Sequence, residues 1–282
     1  MSACTGGLEE HEFLRVLEEI ALAVWHGDGR TATVSSIREK FKSGRIETYL
    51  DRFQEGAEAG VTRLLTAFYF RQSDNRQDGD PTFEFTHKSF GEYLTALRII
   101  RLLRQMLKQR QRQEEDPDDG WSEKEALRHW TSFCAVTEID WELLRFISNE
   151  FRVMAQDELL VLQSMVRDLL SYTINQGLPF PDEFLSSGFK EHLRLARNAE
   201  DALLAVHFHI AELTKEVSRL ELESEKAFGG WVARLRGSSA PRASWLRFLE
   251  LSGYDLHMQN FYGVNFVMSS LENTLLAYST LI

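Results

Sequence analysis

Leu246, Leu251, Leu256, Phe261, Phe266, Leu271, Leu276 and Leu281 recur at every fifth position through the last part of the chain. A period of five fits neither the 3.6-residue turn of a helix nor the two-residue alternation of a strand. It is expected where each side of a square coil places one large apolar residue inside, and a coil of that kind needs several stacked units to bury a core. Asp255, Asn260 and Asn265 precede three of these positions, each able to bond nearby backbone in a turn. Leu246 and Leu251 stand equally well at the end of a preceding helix.

The remainder of the chain follows other rules. From Leu8 to Trp25, Phe13, Leu14, Leu17, Ile20, Ala21, Val24 and Trp25 fall on one helical face, and "HGDGR" stops that helix. "TATVSSIREKF" reads as a short extended piece and a second helix, with Ser35 or Ser36 as N-cap and Glu39 closing a capping box on Ser36. Phe68, Tyr69 and Phe70 end the next segment as a strand, "RQSDNRQDGDP" turns the chain, and "TFEFTH" returns as the second arm of a hairpin. Helices followed by a β-hairpin describe a winged helix.

In "FEFTHKSFGEYLTAL", residues 83 to 97, strand alternation passes directly into helical spacing at Phe90, Tyr93, Leu94 and Leu97, with His87 at the junction. A helix over about residues 89 to 111 follows, with Arg98, Arg101, Arg104, Lys108, Arg110 and Arg112 on its outer face. "EEDPDDG" then reads as an acidic linker. Residues 121 to about 235 have helical periodicity broken near 175 to 184, which predicts a helical bundle with Leu159, Leu160, Leu162, Met165, Val166, Leu169 and Leu170 in its core. The expected fold class is mainly α. Its parts are a winged-helix domain with one β-hairpin over 1–112, a linker over 113–120, a helical domain over 121–240 and a square-coil segment over 241–282.

Two resemblances attach to these residues. "YDLHM-QNFYG-VNFVM-SSLEN-TLLAY-STLI" resembles the pentapeptide-repeat family, whose quadrilateral β-helix takes about twenty residues per coil. Agreement is good at the central Leu or Phe and poorer at Tyr254, Gln259 and Val264, where that family has small residues. "FLRVLEEIALAVWHGDGRTATVSSI" with "FEFTHKSFGEYLTALRII" resembles the winged helix of STAND-type NTPases, particularly the NACHT branch that includes the NOD-like receptors. Phe85, His87, Ser89, Phe90, Glu92, Tyr93, Leu94 and Ala96 carry that likeness.

The second resemblance implies a role for His87. In that family the matching histidine reaches the β-phosphate of ADP held by the neighbouring nucleotide-binding domain and keeps the protein closed. A strand-to-helix junction suits this, because helix N-terminal amides favour an anion. The same residue can equally be a half-buried histidine satisfied by backbone or Glu92. Ser89, Phe90, Tyr93 and Leu94 are assigned to capping and packing. The partner implied is a NACHT domain upstream or on another chain, with ADP or ATP bound there and an undefined protein ligand for the repeats.

Composition narrows the alternatives. No GxxxxGK[ST] loop occurs, so the chain holds no phosphate cradle, and an enzyme is the least expected class. A net charge of -11 disfavours nucleic acid and anionic membranes. Cys4 and Cys134 have no ligand spacing and read as reduced thiols, which makes the cytoplasm the default location. His207 and His209 in "HFHI" lie about 200° apart on a helix and do not form a metal pair there. Two other readings carry less of the sequence. Arg38, Lys40, Lys42, Arg45 and Arg52 would serve a DNA-binding winged helix. The repeats alone would serve an acidic DNA mimic that binds a topoisomerase.

Overall fold

A computed structural model describes residues 9–27, 31–33, 37, 70–73, 82–236, 246–262 and 264–280. The described chain is mainly helical with two small sheets. It divides into two compact units, Met1–Ile100 and Arg101–Ile282. The acidic segment 113–120 therefore lies inside the second unit. Ser35, Ser36, Glu39, Arg38, Lys40, Lys42, Arg45, Arg52, Cys4 and Leu281 fall outside the described residues.

In the first unit, α1 covers Glu10–His26. Its start is fixed by the Glu9 amide, which donates to the Glu12 carboxylate at 3.0 Å. Its end is fixed by the Gly27 amide, which donates to the carbonyls of Ala23 and Val24. Three antiparallel strands follow: β1 (Thr31–Thr33), β2 (Phe70–Ser73) and β3 (Thr82–Phe85). β3 is central, pairing Glu84 with Thr31 on one side and Phe85 with Phe70 on the other. The next helix, α2, runs over Lys88–Glu115, and the division between units falls within it.

The core of this unit joins Val16, Leu17, Ile20, Ala21 and Val24 of α1 to Ala32, Ile37, Phe85 and Leu94, with Phe13, Leu14 and Leu97 packed on it. Burial of Ile20, 1% exposed, contributes about 2 kcal/mol. Arg98 departs from expectation: it is 5% exposed, not on the outer face. Its Nε donates to Glu19 Oε1 at 2.7 Å, and that partner is what allows a guanidinium inside.

The described residues of the second unit include five further α-helices, α3 (Glu123–Cys134), α4 (Trp141–Arg152), α5 (Gln156–Gln176), α6 (Phe189–Thr214) and α7 (Glu225–Arg236). Residues 116–120 fold back on the end of α2. The Trp121 amide reaches the Gln109 carbonyl, and Gly120 sits at φ 87° where a β-carbon would lie 2.2 Å from that same oxygen. Ser122 then caps α3 in a reciprocal box with Glu125, and the Asp140 side chain caps α4 by accepting from the Leu143 amide. α6 is buried almost all round from Leu195 to Thr214 and forms the centre, packed on α3, α4 and α5. Trp130 is fully buried and donates its indole N–H to the Ala199 carbonyl at 2.9 Å. Of the core residues expected on α5, Leu160 is the exception at 41% exposed, because it lies on the outer side of that helix.

Beyond α6, β4 (Ser218–Arg219) pairs in parallel with β5 (Leu249–Glu250). From there, among the described residues, the backbone turns at Phe248, Gly253, Met258, Met268, Asn273 and Tyr278, positions spaced by multiples of five, all with φ between 57° and 77°. Parallel bridges join Glu250 to Ser270, Asp255 to Leu275 and Asn260 to Thr280, so successive courses are offset by twenty residues. Side chains of Asp255, Asn260 and Asn265 accept from the amides two residues on. Inside the coil, Leu246, Leu251, Leu256 and Phe261 are buried, whereas Phe266, Leu271 and Leu276 of the second course are half-buried. Tyr254 fits its small-residue position by burying its ring and donating its hydroxyl to the Leu220 carbonyl.

Candidate functional site

The junction around His87 is built by a glycine. The Phe85 ring, 6% exposed at the end of β3, rests on Gly91 in the first turn of α2, where a β-carbon would lie 3.0 Å from Cδ2. Only an unsubstituted α-carbon lets the strand end approach the helix so closely. Thr95 donates its hydroxyl to the Gly91 carbonyl at 2.8 Å, and Leu94 joins the core. These contacts fix the two-residue bend, Thr86 and His87, between β3 and α2.

His87 itself is exposed. Its carbonyl accepts from the Phe90 amide at 3.0 Å, which closes the first turn of α2. Its ring meets Phe90 edge to face with centroids 5.7 Å apart. Lys88 pairs with Glu92 at 2.8 Å across one helical turn. Ser89 is exposed, and Phe90 and Tyr93 are 40% and 38% exposed. The motif therefore splits into an inner set, Phe85, Gly91 and Leu94, and an outer set, His87, Ser89, Phe90 and Tyr93. Gly91 is the member that sequence reasoning passed over, and its signal was a glycine in the first turn of a helix immediately after an aromatic strand end.

His207 and His209 are buried on α6. Burial pushes His207 down to about 4, with a smaller contribution from Arg167 in the same direction. Burial also lowers His209, opposed by Glu212. Among the described residues no three His, Cys, Asp or Glu side chains come together as metal ligands. A cleft of about 440 Å³ contains Arg110, Arg167 and Asp168, but both guanidinium groups already donate to the Asp168 carboxylate, at 2.7 and 2.6 Å. Two engaged arginines leave little for a second anion. A second cleft, about 560 Å³, lies between Glu223 and the coil residues Asp255, His257 and Met258, with His257 Nδ1 on Asp255 Oδ1. No described helix is long and apolar enough to cross a membrane.

Comparison with protein-family models, with curated proteins and with solved structures gives no match for this chain. Its functional reading rests on the residues themselves.

Proposed function

We propose that the chain is the regulatory and interaction part of a STAND/NACHT-type signalling ATPase. In this reading the first unit is a winged helix whose His87 donates to the β-phosphate of ADP. The nucleotide is held by a NACHT domain encoded upstream or carried by another chain. The coil from residue 246 onward is the opening of a pentapeptide-repeat region that contributes to a sensor for a protein ligand.

The observation that carries the proposal is the position of His87. An exposed imidazole stands immediately before the first helical residue, Lys88, on a bend fixed by Phe85 against Gly91. That contact holds the backbone that presents the imidazole, and the helix N-terminus favours an anion beside it. The three-stranded sheet beside helices and the twenty-residue offset of the coil support the two assignments of architecture.

The test is ADP retention by the chain together with its nucleotide-binding domain, measured by calorimetry on the assembled protein. His87→Ala is expected to weaken retention roughly tenfold, the order of one charge-assisted hydrogen bond. Equal retention by wild type and variant overturns the role of His87, and an upstream coding region lacking a P-loop domain counts against the whole assignment.

A further inference from the structure

Between α6 and α7 the chain runs extended alongside α5, whose side chains bond its backbone as a neighbouring strand would. Gln163 donates its side-chain amide to the Glu216 carbonyl and to the Ser218 hydroxyl, both at 2.9 Å. Ser171 Oγ accepts from the Glu221 amide at 3.0 Å. Asn175 donates to the Glu221 carbonyl at 2.8 Å and accepts from the Glu223 amide at 3.0 Å. Partners 216 to 223 follow in the same order as 163 to 175, so the segment runs parallel to the helix.

The opposite edge of the segment faces the coil. The Ser218 amide donates to the Phe248 carbonyl at 2.8 Å, the Leu220 carbonyl accepts from the Tyr254 hydroxyl, and the Arg219 guanidinium lies 5.5 Å over the Tyr254 ring. From Ser218 to Glu223, backbone groups of residues 218 and 220 thus bond the coil, and those of 221 and 223 bond α5, the alternation of a strand between two neighbours. Little apolar burial adds to this hold. Leu220 is buried, but Val217 is 42% exposed, and Glu221, Glu223 and Ser224 are exposed. A segment fastened more by hydrogen bonds than by apolar contact belongs to the low-stability end of a fold. At its far end it already stands apart from the coil: the cleft of about 560 Å³ separates Leu222, Glu223 and Ser224 from Asp255, His257, Met258 and Gln259.

We infer that residues 216–223 form a releasable strap, a conformational relay that couples the coil to the helical bundle. The strap opens as one piece from the cleft end, so whatever loosens its coil edge also loosens its α5 edge, and the reverse holds because coupling is reciprocal. In the function proposed above, this is the route from sensor to helices. That use rests on the sensor reading, whereas the relay is a property of this chain alone.

The experiment follows hydrogen exchange at single amides by NMR on the full 282-residue chain, with no nucleotide or partner added, so its outcome is separate from that of ADP retention. Ser218, Glu221 and Glu223 are expected to share one opening constant, larger than that of Leu203 and Val206 in the core of α6. Tyr254→Phe removes the hydroxyl and keeps the buried ring. It is expected to speed exchange about tenfold, the order of one lost hydrogen bond, at Glu221 and Glu223, whose acceptors on α5 it leaves in place. Asn175→Ala acts from the opposite edge and is expected to speed Ser218 about tenfold, although the Phe248 carbonyl is untouched. Three unrelated rates in the unmodified chain, a strap that opens no more readily than Leu203 and Val206, or acceleration that stays on the edge where the substitution was made overturns the relay.

Discussion

Arg98 and Glu19 face each other inside the first unit, Nε to Oε1 at 2.7 Å, with both side chains about 5% exposed. Burial holds the Arg98 guanidinium down to about 10, and the Glu19 carboxylate works against that fall. Arg15 also reaches Glu19 at 2.9 Å, so one carboxylate serves two cations. Arg98→Met leaves Glu19 with only the more exposed Arg15 and is expected to cost about 3 kcal/mol in urea unfolding of the first unit. Arg98→Met with Glu19→Leu should recover most of that loss. If the double variant is no more stable than the single one, the ion pair is not the reason for the cost.

Gly91→Ala sets two effects against each other. Alanine improves helix propensity by about 1 kcal/mol, whereas a β-carbon 3.0 Å from the buried Phe85 ring forces the strand end away, at about 1–3 kcal/mol. The ring is enclosed by the core and cannot swing aside, so a net loss of about 1 kcal/mol is expected in thermal unfolding. Phe85→Leu with Gly91→Ala should restore stability. A stabilised Gly91→Ala would show that the bend carrying His87 is looser than its contacts imply.

Stability should fall as pH is lowered from about 6.5 to about 4. Inside the fold His207 stays neutral until pH falls to about 4, while in the unfolded chain it protonates near its ordinary 6.5. Across that window the unfolded state binds more protons, which removes about 3 kcal/mol in all and levels off below it. His209 acts in the same direction, and Glu200, whose carboxyl is raised by burial, acts in the opposite one. His207→Leu should flatten the profile of urea midpoint against pH. An unchanged slope would assign the acid sensitivity elsewhere.

Much of this architecture was legible as periodicity. The helix at Glu10–His26 announced itself through Leu17, Ile20 and Val24, and the turn-forming roles of Asp255, Asn260 and Asn265 through their spacing. What escaped were relationships between distant residues. Arg98 looks like its neighbours Arg101 and Arg104 on a helical wheel, and only Glu19, seventy-nine positions earlier, explains why it turns inward. Leu160 fails as a core residue for the converse reason: periodicity identifies an apolar stripe but not how wide a face the neighbouring helices cover. At the candidate site the motif spacing located His87 and Phe85, whereas the part played by Gly91 depends on a ring-to-backbone distance that no linear pattern records.

The left-handed turns of the coil, spaced by multiples of five residues, also govern what length changes it can absorb. Adding or removing one residue would move every later interior leucine or phenylalanine off its inward-facing position, so single-residue indels there amount to frameshifts of the fold. Five residues added would rotate everything downstream by a quarter turn, carrying Tyr278 off the corner it shares with Met258. Twenty would insert a whole course and leave every later side chain on its original face. Growth of this segment by duplication is therefore quantised, and its surface can be lengthened without being redesigned.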